Sequence, residues 1–264
     1  MIVDAHQHFW DPAVAEYPWL TDEVAPLRRR FGPEDLEPLL SAHGVRGSVV
    51  VQARGSLDET RMLLELAAET PFVLGVVGWI DLTRAVGDVP AGLAGVRHQV
   101  HDEPDPHWLL RDEVQRGLAA VGEAGLAFDL LVRARELPSA IETARRQPEV
   151  RFVLDHVAKP PLRSGDLAAW ADGVAALAEL PNVTCKLSGL FTEAEPGTDL
   201  APTVEQALRW FGPERCMFGS DWPVCLLATD YGAALEAVRE AVPERDRETV
   251  LAGTAIRTYG LEVA

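Results

Sequence analysis

The chain has 264 residues, 47% of them hydrophobic, enough to bury a large core in one sizeable α/β domain or two small ones. With 24 basic against 41 acidic residues its net charge is −17, which repels phosphate backbones and anionic membrane surfaces and so argues against nucleic-acid and membrane partners. Cys185, Cys216 and Cys225 lack the CxxC pairing of a zinc ribbon or redox motif, and no apolar run reaches the roughly 18 residues that span a bilayer.

In chain order, residues 1–9 (MIVDAHQHF) predict a strand. Strand-like sequence from Ile2 onward leaves no room for a signal peptide, so a cytoplasmic protein is expected. Alternation along that strand would put Asp4, His6 and His8 on one face and Val3, Ala5 and Gln7 on the other. Two imidazoles on one strand face can hold a metal ion, or can aim two donors at one substrate oxygen. Residues 33–44 (PEDLEPLLSAHG) follow as a helix, with Pro and acidic residues at the start and Gly at the end.

The same pairing recurs: strand 46–53 with helix 56–69, strand 94–100 with helix 112–125, strand 126–132 with helix 137–146 and strand 150–157 with helix 166–180. Strand 182–190 with helix 201–212, and strand 215–223 with closing helices in 229–243 and 245–260, complete the series. Strand 72–80 is the exception, because 81–93 (DLTRAVGDVPAGL) is poor in helix signal. Eight strands, several almost continuously apolar, alternating with helices predict an α/β fold: a single-domain (β/α)8 TIM barrel over residues 1–264. A doubly wound sheet is the alternative, but no Gly-rich phosphate fingerprint follows any strand.

In such barrels the reaction centre lies at the C-terminal strand ends. There the sequence offers His6 and His8, Gln52 and Arg54, Trp79 and Asp81, Arg97 with His98 and Gln99, Asp129, Asp155 with His156, Lys186 with Ser188, and Ser220 with Asp221. A strand end is also where a chain becomes wet, which explains any one of these. It explains the convergence of three histidines and an aspartate poorly.

The motifs DAHQHFWDP, GVRHQV, LDHVAKP and MFGSDWPV, in this order, resemble the amidohydrolase superfamily. Within it they resemble the amidohydrolase-2 group that contains sugar lactonases of the L-fuconolactonase and L-rhamnonolactonase type. The resemblance covers nearly the whole chain. It implies a hydrolase that opens a sugar-acid lactone, with Asp221 activating water beside His156. It also implies His6, His8, His156 and Asp221 as the positions able to hold one divalent metal ion, zinc before others. Metal-free catalysis, with the histidines as direct oxyanion donors, is equally open. Strand 4 lacks a lysine or acid to bridge two metals and strand 5 (FDLLV) lacks a histidine, so a binuclear site is not expected.

Four further positions and one aromatic complete the expected substrate site: Arg97, His98, Lys159, Lys186 and Trp10, the last for stacking on a sugar ring. Arg97 and His98 are strand neighbours, so only one points into the barrel; the resemblance implies that both matter, one toward substrate and the other behind it. Arg97 could equally be a salt-bridged barrel residue, Lys159 a solvated loop cation, and Lys186 a partner for Asp129. Tyr17 and Trp19 share the loop after strand 1 and could stack on the ring as well, with lid packing the alternative for all three aromatics and favoured slightly more for Trp19; Trp222 reads as a packing wall, and His43, His101 and His107 receive no chemistry. The rival readings are metal-dependent hydrolysis of a cyclic amide or decarboxylation of an aromatic acid on the same barrel, and a non-catalytic sugar-acid binding protein. The partner in every case is a small molecule; the oligomeric state is left open.

Overall fold

The computed structural model describes residues 1–84 and 89–263. Eight parallel strands, β1 (Val3–Gln7), β2 (Gly47–Val51), β3 (Val73–Gly78), β4 (Gly95–His98), β5 (Ala127–Leu130), β6 (Arg151–Leu154), β7 (Val183–Leu187) and β8 (Cys216–Phe218), pair in sequential order. The ring closes where β1 meets the segment after β8: His8 N donates to Trp222 O and Asp221 N donates to His6 O, both at 2.8 Å. The expected (β/α)8 barrel is therefore the fold.

Helices α1 (Pro33–Ala42), α2 (Leu57–Glu69), α3 (Asp112–Glu123), α4 (Leu137–Arg146), α5 (Ala168–Ala178), α6 (Ala201–Phe211), α7 (Tyr231–Ala241) and α8 (Thr254–Tyr259) surround it. Local chemistry sets their starts: Ser56 Oγ accepts from Glu59 N before α2, and the Asp230 carboxylate accepts from Ala233 N before α7. Among the described residues no α-helix separates β3 from β4, as the weak helix signal of 81–93 implies; residues 85–88 of that stretch lie outside the described residues.

The two faces of the strands bury different things. Val50, Val76, Val96, Phe128 and Phe152 point outward onto the helices in the main core, each side chain contributing about 1.5–3 kcal/mol by leaving water. Val3, Ala5, Val49, Val51, Val77, Ala127, Val153 and Met217 form a second cluster with Ala252, Ala255, Tyr259 and Leu261 of the C-terminal segment, which plugs the lower barrel. Above that layer the interior turns charged, with Arg97, Asp129, Asp155 and Lys186 all buried.

Candidate functional site

The alternation expected for β1 holds only for its first half. Asp4 pairs with Ser48 and Gln7 with Val50, so Ala5 and His6 together face one β2 residue, which is a bulge. Val3 and Ala5 lie in the interior cluster, and the extra residue then turns His6 and His8 inward as well. Asp4, expected beside the histidines, instead points outward. Its carboxylate accepts from Ser220 N (2.9 Å), Ser220 Oγ (2.6 Å) and the Tyr231 hydroxyl (3.2 Å), and burial lifts it to about 6 against these bonds. Asp4 thus anchors the segment that carries Asp221.

Asp221 and His156 occupy backbone that side chains rarely adopt. Asp221 has φ 57°, and His156, Val157, Ala158 and Lys159 have φ between 50° and 57°, a left-handed turn where the sequence predicts the end of a strand. Each such residue costs about 1–2 kcal/mol, so the surroundings must hold the turn. Trp170 Nε1 donates to Val157 O at 2.7 Å, and Lys159 N donates to His156 O at 2.8 Å. Gly189, itself at φ 61°, leaves the space: a Cβ there would lie 2.6 Å from His156 Nδ1 and 3.1 Å from Asp221 Oδ2.

His6 Nε2 lies 3.1 Å from His8 Nε2, and Asp221 Oδ1 is 3.4 Å from His8 Nε2 and 3.7 Å from His6 Nε2. Three vertices of a zinc tetrahedron with bonds of about 2.0–2.2 Å are separated by roughly 3.3–3.6 Å, so these three groups fit a cation. His156 Nε2 stands farther off, 4.0 Å from Asp221 Oδ1, and groups with His6 and Asp155 rather than with His8. The four expected ligands therefore do not form one cluster. Burial alone would raise the Asp221 carboxyl, but His156, His8 and His6 outweigh it and hold it far below the carboxylate range. Burial also lowers His8, and pulls His156 down to about 4, so at neutral pH an anionic Asp221 faces neutral rings.

A cavity of about 230 Å³ opens onto this group. His8, His156, Asp221, Arg97 and Lys159 line it together, bringing five of the expected residues to one place. Arg97 is also salt-bridged, its Nη1 3.1 Å from Asp155 Oδ2, and its buried Nε has no protein partner. Lys159 Nζ bonds Glu193 at the rim (3.0 Å).

Three expected contacts are corrected. Trp10 is 2% exposed, with its indole donating to Leu27 O and Arg29 O, so it packs beneath the site and offers no stacking face. Trp19, weighed between stacking and lid packing, stands on the cavity wall. His98 points out of the barrel, stacked on Trp108 at 4.1 Å and bonded to Glu103 and Trp79, because its neighbour Arg97 takes the inward position. Lys186 lies below the cavity, paired with Asp129 (2.5 Å) and Asp155 (3.0 Å). Gln99, named at the end of β4, lines the cavity, as do His101, to which the sequence assigns no chemistry, and Asp102, which it does not single out.

A family model described as Amidohydrolase matches residues 3–261. The chain is 44% identical over 248 residues to an L-fucono-1,5-lactonase of Burkholderia ambifaria, covering 88% of this chain and 85% of that protein. It is 40% identical over 283 residues to an L-fucono-1,5-lactonase of Burkholderia multivorans, covering 98% and 96%. A crystal structure of an amidohydrolase from Burkholderia multivorans with bound zinc superposes with TM-score 0.94 at 37% identity, over 99% of this chain and 100% of that one.

Proposed function

Because the chain belongs to the amidohydrolase family, we propose that it is a lactonase that opens a sugar-acid lactone, with L-fucono-1,5-lactone as the first candidate substrate. The observation that carries this reading is one cavity lined together by His8, Arg97, an anionic Asp221 and a neutral His156. Relatives that hydrolyse sugar lactones favour this over cyclic-amide hydrolysis, decarboxylation or binding without turnover.

Asp221 accepts the proton of the attacking water, which His156 Nε2 orients. His156 is steadied from behind by Ser188 Oγ, 2.8 Å from its Nδ1. Arg97, on the same cavity, places its positive charge near the lactone oxygen as negative charge develops there. Asp221 then returns its proton to the ring oxygen, a leaving group that stays attached and therefore close. His6, His8 and Asp221 are the residues that would hold a divalent cation, zinc suiting nitrogen and carboxylate donors, and a bound ion there would polarise the carbonyl. Trp19 and Leu131 supply the apolar wall, and Gln99, Lys159 and Asp102 the polar one, for a single ring bearing hydroxyls.

No helix of the described residues is long and apolar enough to cross a membrane. A cytoplasmic location is part of this proposal, supported by three free, buried cysteines. A pH-indicator assay over a panel of aldonolactones, run before and after chelation and again with zinc, tests the reading. Turnover of at least one lactone is expected, and no turnover in any arm would discard it. Survival on chelation would place the catalytic weight on the protein donors.

A further inference from the structure

The ladder of β2 ends at Gln52, whose N–H still donates to Val77 O at 2.8 Å. Beyond it the chain leaves the barrel, and the N–H groups of Ala53 and Arg54 both donate to Glu59 Oε2 at 3.0 Å. Glu59 stands in the first turn of α2, 1% exposed, where a helix N-terminus favours a carboxylate. It lies behind the cavity wall, not on it.

The peptide joining Ala53 to Arg54 points its N–H at Glu59 and, being trans, its C=O the opposite way. That oxygen accepts from Trp19 Nε1 at 2.9 Å and from Gln99 Nε2 at 3.3 Å. Trp19 comes from the loop after β1 and Gln99 from the end of β4, and both line the cavity together with Ala53. Arg54 adds a second tie to the same loop: its guanidinium lies over the Tyr17 ring at 5.5 Å, and its Nη1 donates to Glu16 O at 3.4 Å.

We propose that Glu59 is a positioning residue that fixes the plane of the Ala53–Arg54 peptide and through it the Trp19 and Gln99 wall, and so sets affinity for the substrate ring without entering the chemical step. With the carboxylate in place the peptide cannot turn without breaking three hydrogen bonds. Without it two N–H groups lose their acceptor, and a peptide that turns to find another takes its oxygen away from both cavity residues. His156 and Asp221 are held by the segments after β6 and β8, so the chemical step is spared. The substrate in this inference rests on the lactonase reading; the placement of the wall does not.

The test has one arm without activity and one with it. The indole nitrogens are labelled with 15N, and the Trp19 signal among the seven tryptophans is assigned by its loss in Trp19→Phe. Glu59→Ala is expected to move the Trp19 indole proton upfield as its bond to Ala53 lengthens, and Glu59→Gln, whose amide oxygen still accepts, to restore most of that shift. A Trp19 signal that stays in place in Glu59→Ala would overturn the inference. In lactone turnover Glu59→Ala is expected to raise KM about five- to tenfold with kcat within about twofold of the natural chain, and Glu59→Gln to recover most of KM. Combined with Trp19→Ala, Glu59→Ala is expected to add less than it does alone. An unchanged KM, a loss confined to kcat, or full additivity would contradict it. Should Glu59→Ala fail to fold, Glu59→Asp, one methylene short of both N–H groups, takes its place with the same outcomes. If the natural chain opens no lactone, the lactonase reading fails and the indole signals alone decide this inference.

Discussion

The lower and upper halves of the barrel interior follow opposite rules. Below, Val3, Ala5, Val49, Val77, Val153 and Met217 interdigitate as an apolar plug. Above, His6, Arg97, Asp129, Asp155 and Lys186 are just as buried, none more than 4% exposed, yet every one carries polar chemistry. Removing an ion from water costs several kcal/mol, and only close mutual pairing offsets it. The lower half therefore stabilises the fold through area and packing, while the upper half draws on that stability to fix the positions of reacting groups. Tyr259 belongs to both, its ring in the plug and its hydroxyl on Asp129.

Mutations that respect this division should separate activity from stability. The largest expected effect is in the upper half: Asp221→Asn should lower kcat by about 10²- to 10⁴-fold with only a modest fall in melting temperature, because a carboxyl held far below its ordinary range contributes stability that the amide loses. Initial rates and calorimetry on the same preparation check both. Gly189→Ala comes next, at about 10²-fold in kcat, since the added methyl meets His156 Nδ1 at 2.6 Å and the φ of 61° disfavours any side chain. Met217→Ala, in the plug, should cost about 2–5 kcal/mol in urea unfolding with kcat unchanged.

The pH dependence sharpens the same contrast. Burial takes His156 from 6.5 to about 4, so kcat/KM should hold its plateau below pH 6.5 and fall only on approach to pH 4. The same shift works against stability. Below pH 6.5 the unfolded ring takes up a proton that the folded ring refuses until about pH 4, so this residue destabilises the protein progressively through that window and not above it. Melts at pH 5 and pH 7 read the direction. The smallest expected effect is Trp19→Ala, a several-fold rise in KM with little change in kcat, whereas Trp10→Ala should act on stability, by about 3–5 kcal/mol.

The barrel was legible because buried parallel strands and capped helices leave strong patterns in the chain. The polar groups at the strand ends were legible for the same reason. Three particulars were not. A one-residue bulge in β1 rotates Asp4 out and His6 in, and alternation alone cannot reveal a bulge. The left-handed turn at His156–Lys159 contains no glycine to announce it. The exchange of roles between Trp10 and Trp19 depends on how the loop after β1 folds back, where Trp10 pairs with Phe31 and its indole finds two backbone carbonyls. Tyr259, near the end of the chain, gave no signal at all, since its role follows from closure of the barrel floor.

The central claim is that Asp221, set among His6, His8 and His156, drives opening of a sugar lactone in this cavity. It is tested most directly by following acid release from L-fucono-1,5-lactone with the natural chain and Asp221→Asn side by side, against the spontaneous rate. Turnover well above the spontaneous rate for the natural chain, and a variant that folds but turns over about 10²- to 10⁴-fold more slowly, is the expected result. Equal turnover by both chains would contradict it.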